Sequence, residues 1–339
     1  MTVATGKCFA SEGEADHADI HQAPDCRRRN RMFIVLIQGS LVTTTGSEEG
    51  CGKSWPLCHG EFVPSYALET MIEFSHRFVV GIETFLIVGA GIGAWIFWRG
   101  RKEIKAFAPV MVGFLVIQAL LGAAAVMWPQ TPEILALHFG VSLIAFASVL
   151  LTALFIHEQG SWDRLRDRPL PRYFRTAVFA LLGYTYLVVY WGAYVRHKEA
   201  SMACTDWPLC NGEVVPILDG PIGIVFGHRV SALVLVLGVV GLTLMASRAR
   251  SSRPDLFWGS MLLTGLVIIQ SLSGAIVVWT RLDVFATLSH GMFASLYFGT
   301  LCYLALHSLP RQRDADAYVP LFEESTSKET GRVGAPATS

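Results

Sequence analysis

The sequence predicts an all-α integral membrane protein in which eight transmembrane helices form two pseudo-symmetric four-helix bundles. Three observations carry that prediction. Charge is scarce: 16% of the 339 residues are charged and 52% hydrophobic, with a mean hydropathy of +0.45, where a soluble domain carries roughly 25% charge. Apolar residues are gathered into runs long enough to cross a hydrocarbon core roughly 30 Å thick. Finally, the stretch WPLCHGEFVP at 55–64 is written again at 207–216 as WPLCNGEVVP, with two differences. Net charge is zero and no basic face or nucleic-acid motif stands out, so nucleic-acid partners are set aside.

Seven spans are clear: Phe74–Phe97, Ala106–Met127, Ile134–Ile156, Phe174–Val195, Ile224–Ala246, Leu256–Val278 and Val284–Leu306. An eighth, ahead of these, runs from Met32 to about Thr45. Its fourteen residues cover about 21 Å at 1.5 Å each, so local thinning of the bilayer or snorkelling by the preceding RRRNR is needed. Basic loops at 27–31, 99–105, 163–172 and around Arg248, Arg250 and Arg253 alternate with loops poorer in positive charge. By the positive-inside rule both termini are cytoplasmic and the two WPLC loops lie outside. The organisation is then an N-terminal cytoplasmic tail, expected to be disordered (1–31), a first bundle (32–157), a cytoplasmic linker (158–173), a second bundle (174–307) and a disordered C-terminal tail (308–339).

The repeat extends well beyond the opening stretch. Trp55 and Trp207, Cys58 and Cys210, His76 and His228, Gln118 and Gln270, and His138 and His290 are all 152 residues apart. One offset held over eighty residues indicates a four-helix unit used twice in parallel. Of ten histidines only these four recur as pairs, each near the outer end of an even-numbered span. Interfacial hydrogen bonding is the bland explanation, but ionisable residues within membrane spans are functional by default. Two imidazoles on facing helices can supply the axial ligands of a haem. Zinc would want three or four ligands with an acidic or thiolate companion, and each half offers two histidines.

Arg77 and Arg229 follow the span 2 and span 6 histidines. They are either interfacial anchors or, on the outer side, partners for haem propionates. Cys51 and Cys58 share one outer loop, Cys204 and Cys210 the other. An oxidising compartment permits disulfides; four cysteines allow three pairings, of which the short loops favour Cys51–Cys58 and Cys204–Cys210. Metal ligation and a merely structural staple stay open for these thiols. The halves differ where the first reads EFSHR (73–77) and the second VFGHR (225–229). Glu73 lies three residues before His76, on the same helix face, and its counterpart is Val225. A carboxylate beside a haem can move protons or place water, so the first half is expected to do chemistry and the second to hold a resident haem that passes electrons.

Through GSLVTTTGS (39–47), CGKSWPLCHG (51–60), EFSHR and the four histidines, residues 35–307 resemble the haem A synthases of bacterial membranes. The resemblance implies oxidation of a methyl group of haem O to a formyl group by two hydroxylations, giving a geminal diol that loses water. It implies that His76 and His138 flank the substrate haem, with Glu73 catalytic, and that His228 and His290 ligate haem b as cofactor. It implies a link between Cys51, Cys58 and activity or haem delivery, a bacterial plasma-membrane location, and haem O synthase, a protohaem farnesyltransferase, as partner. The electron partner, the source of oxygen and the number of chains, a homo-oligomer included, stay open. Two rivals are a non-catalytic dihaem electron carrier and a haem-handling chaperone.

Overall fold

The computed structural model describes residues 35–64, 67–98, 100–128, 131–157 and 164–310. The start of the first span at Met32, the N-terminal tail, residues 158–163 of the linker and residues 311–339 of the C-terminal tail lie outside the described residues. Among the described residues eight helices of ten residues or more follow one another: α1 (Val35–Thr44), α2 (Leu68–Phe97), α3 (Lys102–Met127), α4 (Pro132–His157), α5 (Phe174–His197), α6 (Gly220–Ser247), α7 (Pro254–Trp279) and α8 (Val284–Ser308). Helices α2 to α7 are long and apolar enough to cross a membrane. Their outward faces keep Phe85, Leu187, Leu233, Leu237 and Leu262 exposed. Water would penalise such apolar belts, so the protein is a multi-pass membrane protein.

The helices reach beyond the spans read from hydropathy, because helical hydrogen bonding continues through polar turns that an apolar window clips. Glu69, Glu133 and Asp255 sit in the first turns of α2, α4 and α7, where a negative charge suits the helix dipole. Helix α8 falls short of the apolar measure for a different reason. It packs against α4, α5 and α7 and buries Ala294, Ser295, Tyr297, Phe298 and Leu301. A helix wrapped by protein need not be compatible with lipid all round.

Two cores form. Leu36 of α1, Ile87 of α2, Met111 and Leu115 of α3, and Ala145 and Phe146 of α4 make one. Val178 and Val188 of α5, Leu235 and Val239 of α6, Leu263 and Val267 of α7, and Tyr297 and Leu301 of α8 make the other. Helices α5, α6, α7 and α8 close a ring of contacts, and α4 joins them through α5 and α8. At that seam small residues meet large ones: Gly299 faces Leu150 and Phe146, and Gly140 faces the Tyr186 hydroxyl.

The end away from the WPLC loops is tied by buried charge. Arg253 is fully buried; it donates to the Asp255 carboxylate from Nε (3.0 Å) and Nη2 (2.8 Å), and to the His307 carbonyl (2.6 Å). His307 Nδ1 lies 3.0 Å from the same carboxylate. One repeat earlier, Arg101 and Glu103 pair at 3.6 Å. Arg166 of the linker donates to Glu103 (3.2 Å) and to the carbonyls of Leu309 and Pro310. The linker thus clasps α3 to the end of α8.

Candidate functional site

The two WPLC loops fold alike from partly different side chains. Each has a cis Trp–Pro bond, a left-handed residue (His59 or Asn211) and a positive-φ glycine after it (Gly60 at 81°, Gly212 at 84°). Glycine accepts that conformation without a Cβ clash, and the chain turns back to bridge Cys58 with Glu61 and Cys210 with Glu213. Disulfides close both loops: Cys51 to Cys58, with an S–S distance of 2.05 Å, and Cys204 to Cys210. In the first loop the Ser54 hydroxyl lies 3.1 Å from the carbonyls of both Cys51 and Leu57. Its counterpart Asp206 instead accepts from the Gly212 amide (2.8 Å) and the Asn211 amide. Those N–H groups, Gly212's foremost, hold the Asp206 carboxyl below its ordinary pKa.

Beneath the loops lie the four histidines. They sit six or eight residues inside α2, α4, α6 and α8, about 9–12 Å along the axis at 1.5 Å per residue. Each imidazole rests on a glycine of the preceding helix. A Cβ placed on Gly39 would come 3.2 Å from His76 Cε1, on Gly122 3.4 Å from His138, on Gly192 2.8 Å from His228, and on Gly274 3.2 Å from His290. All four histidines thus share one kind of seat, an imidazole against a glycine of the helix before it. The glycine seats went unread, although Gly122 and Gly274 share the 152 offset.

Glu73 is buried, 3% exposed. One carboxylate oxygen accepts from Arg77 Nη2 and the other from the Cys51 amide at 2.8 Å. Arg77 also donates to the carbonyls of Ser54 (2.6 Å) and Leu57 (2.8 Å). Arg229 does the same in the second half, donating to the carbonyls of Asp206 (2.8 Å), Leu209 (2.5 Å) and Cys204 (3.1 Å). Both arginines clamp the disulfide loops onto the histidine helices, a role that sequence could not show because it lists charges and not partners.

The halves differ in more than one position. Val225 packs on the Cys204 and Cys210 side chains where the first half has Glu73. Trp191 covers Gly227 beside His228, and the first half has Gln38 and Ser75 in place of Trp191 and Gly227. Trp207 meets Trp279 edge to face at 6.1 Å; one repeat earlier Met127 replaces Trp279, and Trp55 is 46% exposed. At these positions the first site is the more polar and the second the more apolar.

Haem fits this set of residues. Buried Nδ1 atoms of His76, His138 and His228, and Oε1 atoms of Gln38, Gln118 and Gln270, lack a hydrogen-bond partner among the described residues. A native interior rarely leaves so many polar groups unpaired. Among the described residues no group of three or more His, Cys, Asp or Glu could hold a bare metal ion, whereas paired imidazoles need only complete the coordination of an iron already held by a porphyrin. Fold and site together define a multi-pass helical membrane protein with buried histidine pairs suited to haem.

Comparison with known proteins narrows that class. Residues 65–302 match the COX15-CtaA family model, described as a cytochrome oxidase assembly protein. Similar relatives include the Heme A synthase of Bacillus licheniformis, 43% identical over 277 residues (81% of this chain, 91% of the relative), and that of Bacillus cereus, 40% identical over 300 residues (88% and 95%). The Heme A synthase of Bacillus anthracis is likewise 40% identical over 300 residues. The chain belongs to this haem A synthase family.

Proposed function

We propose that the chain oxidises a methyl group of haem O to the formyl group of haem A, dividing the work between its halves. The conversion removes four electrons from the carbon, so it needs both a place for the substrate and a route for charge. His76 and His138 hold haem O as substrate in the first half, and His228 and His290 hold haem b in the second. Bound haem b would supply one-electron transfer. The observation that carries this division is the asymmetry at one repeat position: a buried carboxylate, Glu73, beside the first imidazole pair and Val225 beside the second.

Glu73 is a group able to accept a proton in the first site, and the Cys51 amide ties it to the disulfide loop. Gln38 and Ser75 add polar lining there, and the exposed Trp55 leaves the loop edge open to an exchanging ligand. Trp191 against Gly227, Val225 on the Cys204–Cys210 disulfide and the Trp207–Trp279 pair give the second site a more apolar lining, as suits a resident cofactor. Eight spans in two pseudo-symmetric bundles, with both termini cytoplasmic and the disulfide loops outside, are the arrangement this reading adopts. The two largest hydrophobic clusters, one drawn from α1–α4 and the other from α5–α8, support it. Haem O synthase would be the source of the substrate.

The test is co-expression with haem O synthase in a host that lacks haem A, followed by extraction and chromatography of membrane haems. Haem A in the extract is expected. Haem O alone would overturn the proposal in favour of a non-catalytic dihaem carrier or a haem-delivery chaperone.

A further inference from the structure

The two α4 and α8 histidines sit one repeat apart on equivalent glycine seats, yet their Nδ1 atoms differ. His138 Nδ1 is buried without a hydrogen-bond partner among the described residues. His290 Nδ1 lies 2.9 Å from the hydroxyl of Ser273. Ser273 itself is 5% exposed, and its counterpart 152 residues earlier is Leu121. The Ser273 hydroxyl has one hydrogen, which it donates to the Gln270 carbonyl at 2.8 Å. With the hydrogen placed there its oxygen is an acceptor, and the matching tautomer of His290 carries its proton on Nδ1. In that tautomer Nε2 carries the lone pair, and the Gln270 amide nitrogen lies beside the ring, 3.2 Å from Nε2 and 3.3 Å from Nδ1.

Resting on the haem b reading above, we propose that Ser273 is a positioning residue for the His290 ligand. It fixes the tautomer that presents Nε2 to iron and orients the ring against Gly274. By accepting the Nδ1 proton it also raises the basicity of the ligand, which favours ferric over ferrous haem. In the first half Leu121 withholds this support from His138. The repeated scaffold is thereby tuned to hold the second haem firmly and at a lower potential than an unsupported imidazole would give, while the first site keeps a weaker ligand suited to a substrate that must leave.

The test is a redox titration of haem b in the purified holoprotein, followed by its visible absorption band. Losing an outer-shell partner of a metal ligand typically changes affinity about 10- to 100-fold. If the ferric preference falls tenfold in Ser273→Ala, the midpoint potential rises by about 59 mV for one electron. Ser273→Thr, which keeps a hydroxyl, should return to near the parent value, and Leu121→Ser should leave haem b unmoved. Loss of haem b from Ser273→Ala with retention in Ser273→Thr would support the same role. An unshifted potential in a fully loaded Ser273→Ala protein overturns it, as does loss of haem b from both serine variants. His290→Ala separates the two levels. If haem b survives that change, the ligand assignment itself fails; if haem b is lost there but Ser273→Ala shifts nothing, only the role of Ser273 fails.

Discussion

The glycine seats offer a graded perturbation, because the structure gives four different clearances for one added methyl group. In Gly192→Ala the new Cβ would meet His228 Cε1 at 2.8 Å, closer than packed carbon atoms tolerate, whereas in Gly122→Ala it would meet His138 at 3.4 Å, close to ordinary contact. Gly39→Ala and Gly274→Ala fall between, both at 3.2 Å. Forcing a methylene into a packed interior costs about 1–3 kcal/mol. If the strain is relieved by pushing the imidazole off its axial position, haem affinity falls by roughly 5- to 150-fold. Gly192→Ala should therefore lose most of its haem b, Gly274→Ala a smaller share, and Gly122→Ala should convert substrate almost normally. The assay is haem b per mole of purified protein, with haem A yield measured alongside in the same membranes. Full haem b in Gly192→Ala together with a severe defect in Gly122→Ala would refute the reasoning, since the order of effects must follow the order of clearances.

Three further outcomes follow from the same geometry. Glu73→Gln should keep haem b but lower haem A formation by about 10²–10⁴, with haem O or a singly hydroxylated product accumulating; a near-normal yield would reduce Glu73 to the loop anchor that its bonds to Arg77 and Cys51 describe. Cys51→Ala removes a local closure worth about 2 kcal/mol from a loop outside the helix cores, so haem A yield should drop more than the melting temperature, and the reverse pattern would mark the disulfide as a staple only. Arg253→Met leaves the Asp255 carboxylate buried without its guanidinium; a loss of about 3–5 kcal/mol should appear as a lower melting temperature, much of it recovered when Asp255→Leu is added, and equal stability of both variants would contradict the clasp.

Much of this was legible because the chain carries an internal control. Helix positions followed from apolar runs, and the equivalence of His76 with His228 and of His138 with His290 followed from a shared offset. Helix ends were not legible: α2 begins at Leu68, ahead of the apolar run that starts at Phe74. The seats at Gly39 and Gly192 escaped because they are 153 apart, the first loop spacing its cysteines by seven residues and the second by six. The Arg-x-acid pairs at Arg101–Glu103 and Arg253–Asp255 were in register all along, but polar residues at helix ends read as solvated until their burial is known. The roles of Arg77 and Arg229 were hidden for a deeper reason. Their partners are main-chain carbonyls of folded loops, which leave no mark on residue type.

The division of labour between the halves is tested most directly by measuring bound haem b in four single variants. His228→Ala and His290→Ala each delete one side of the second imidazole pair, and the haem b spectrum should disappear from both. His76→Ala and His138→Ala should keep that spectrum near parent intensity while haem O goes unconverted. Equal loss of haem b from all four variants, or its loss from the first-half pair alone, would contradict the assignment of substrate and cofactor to separate halves.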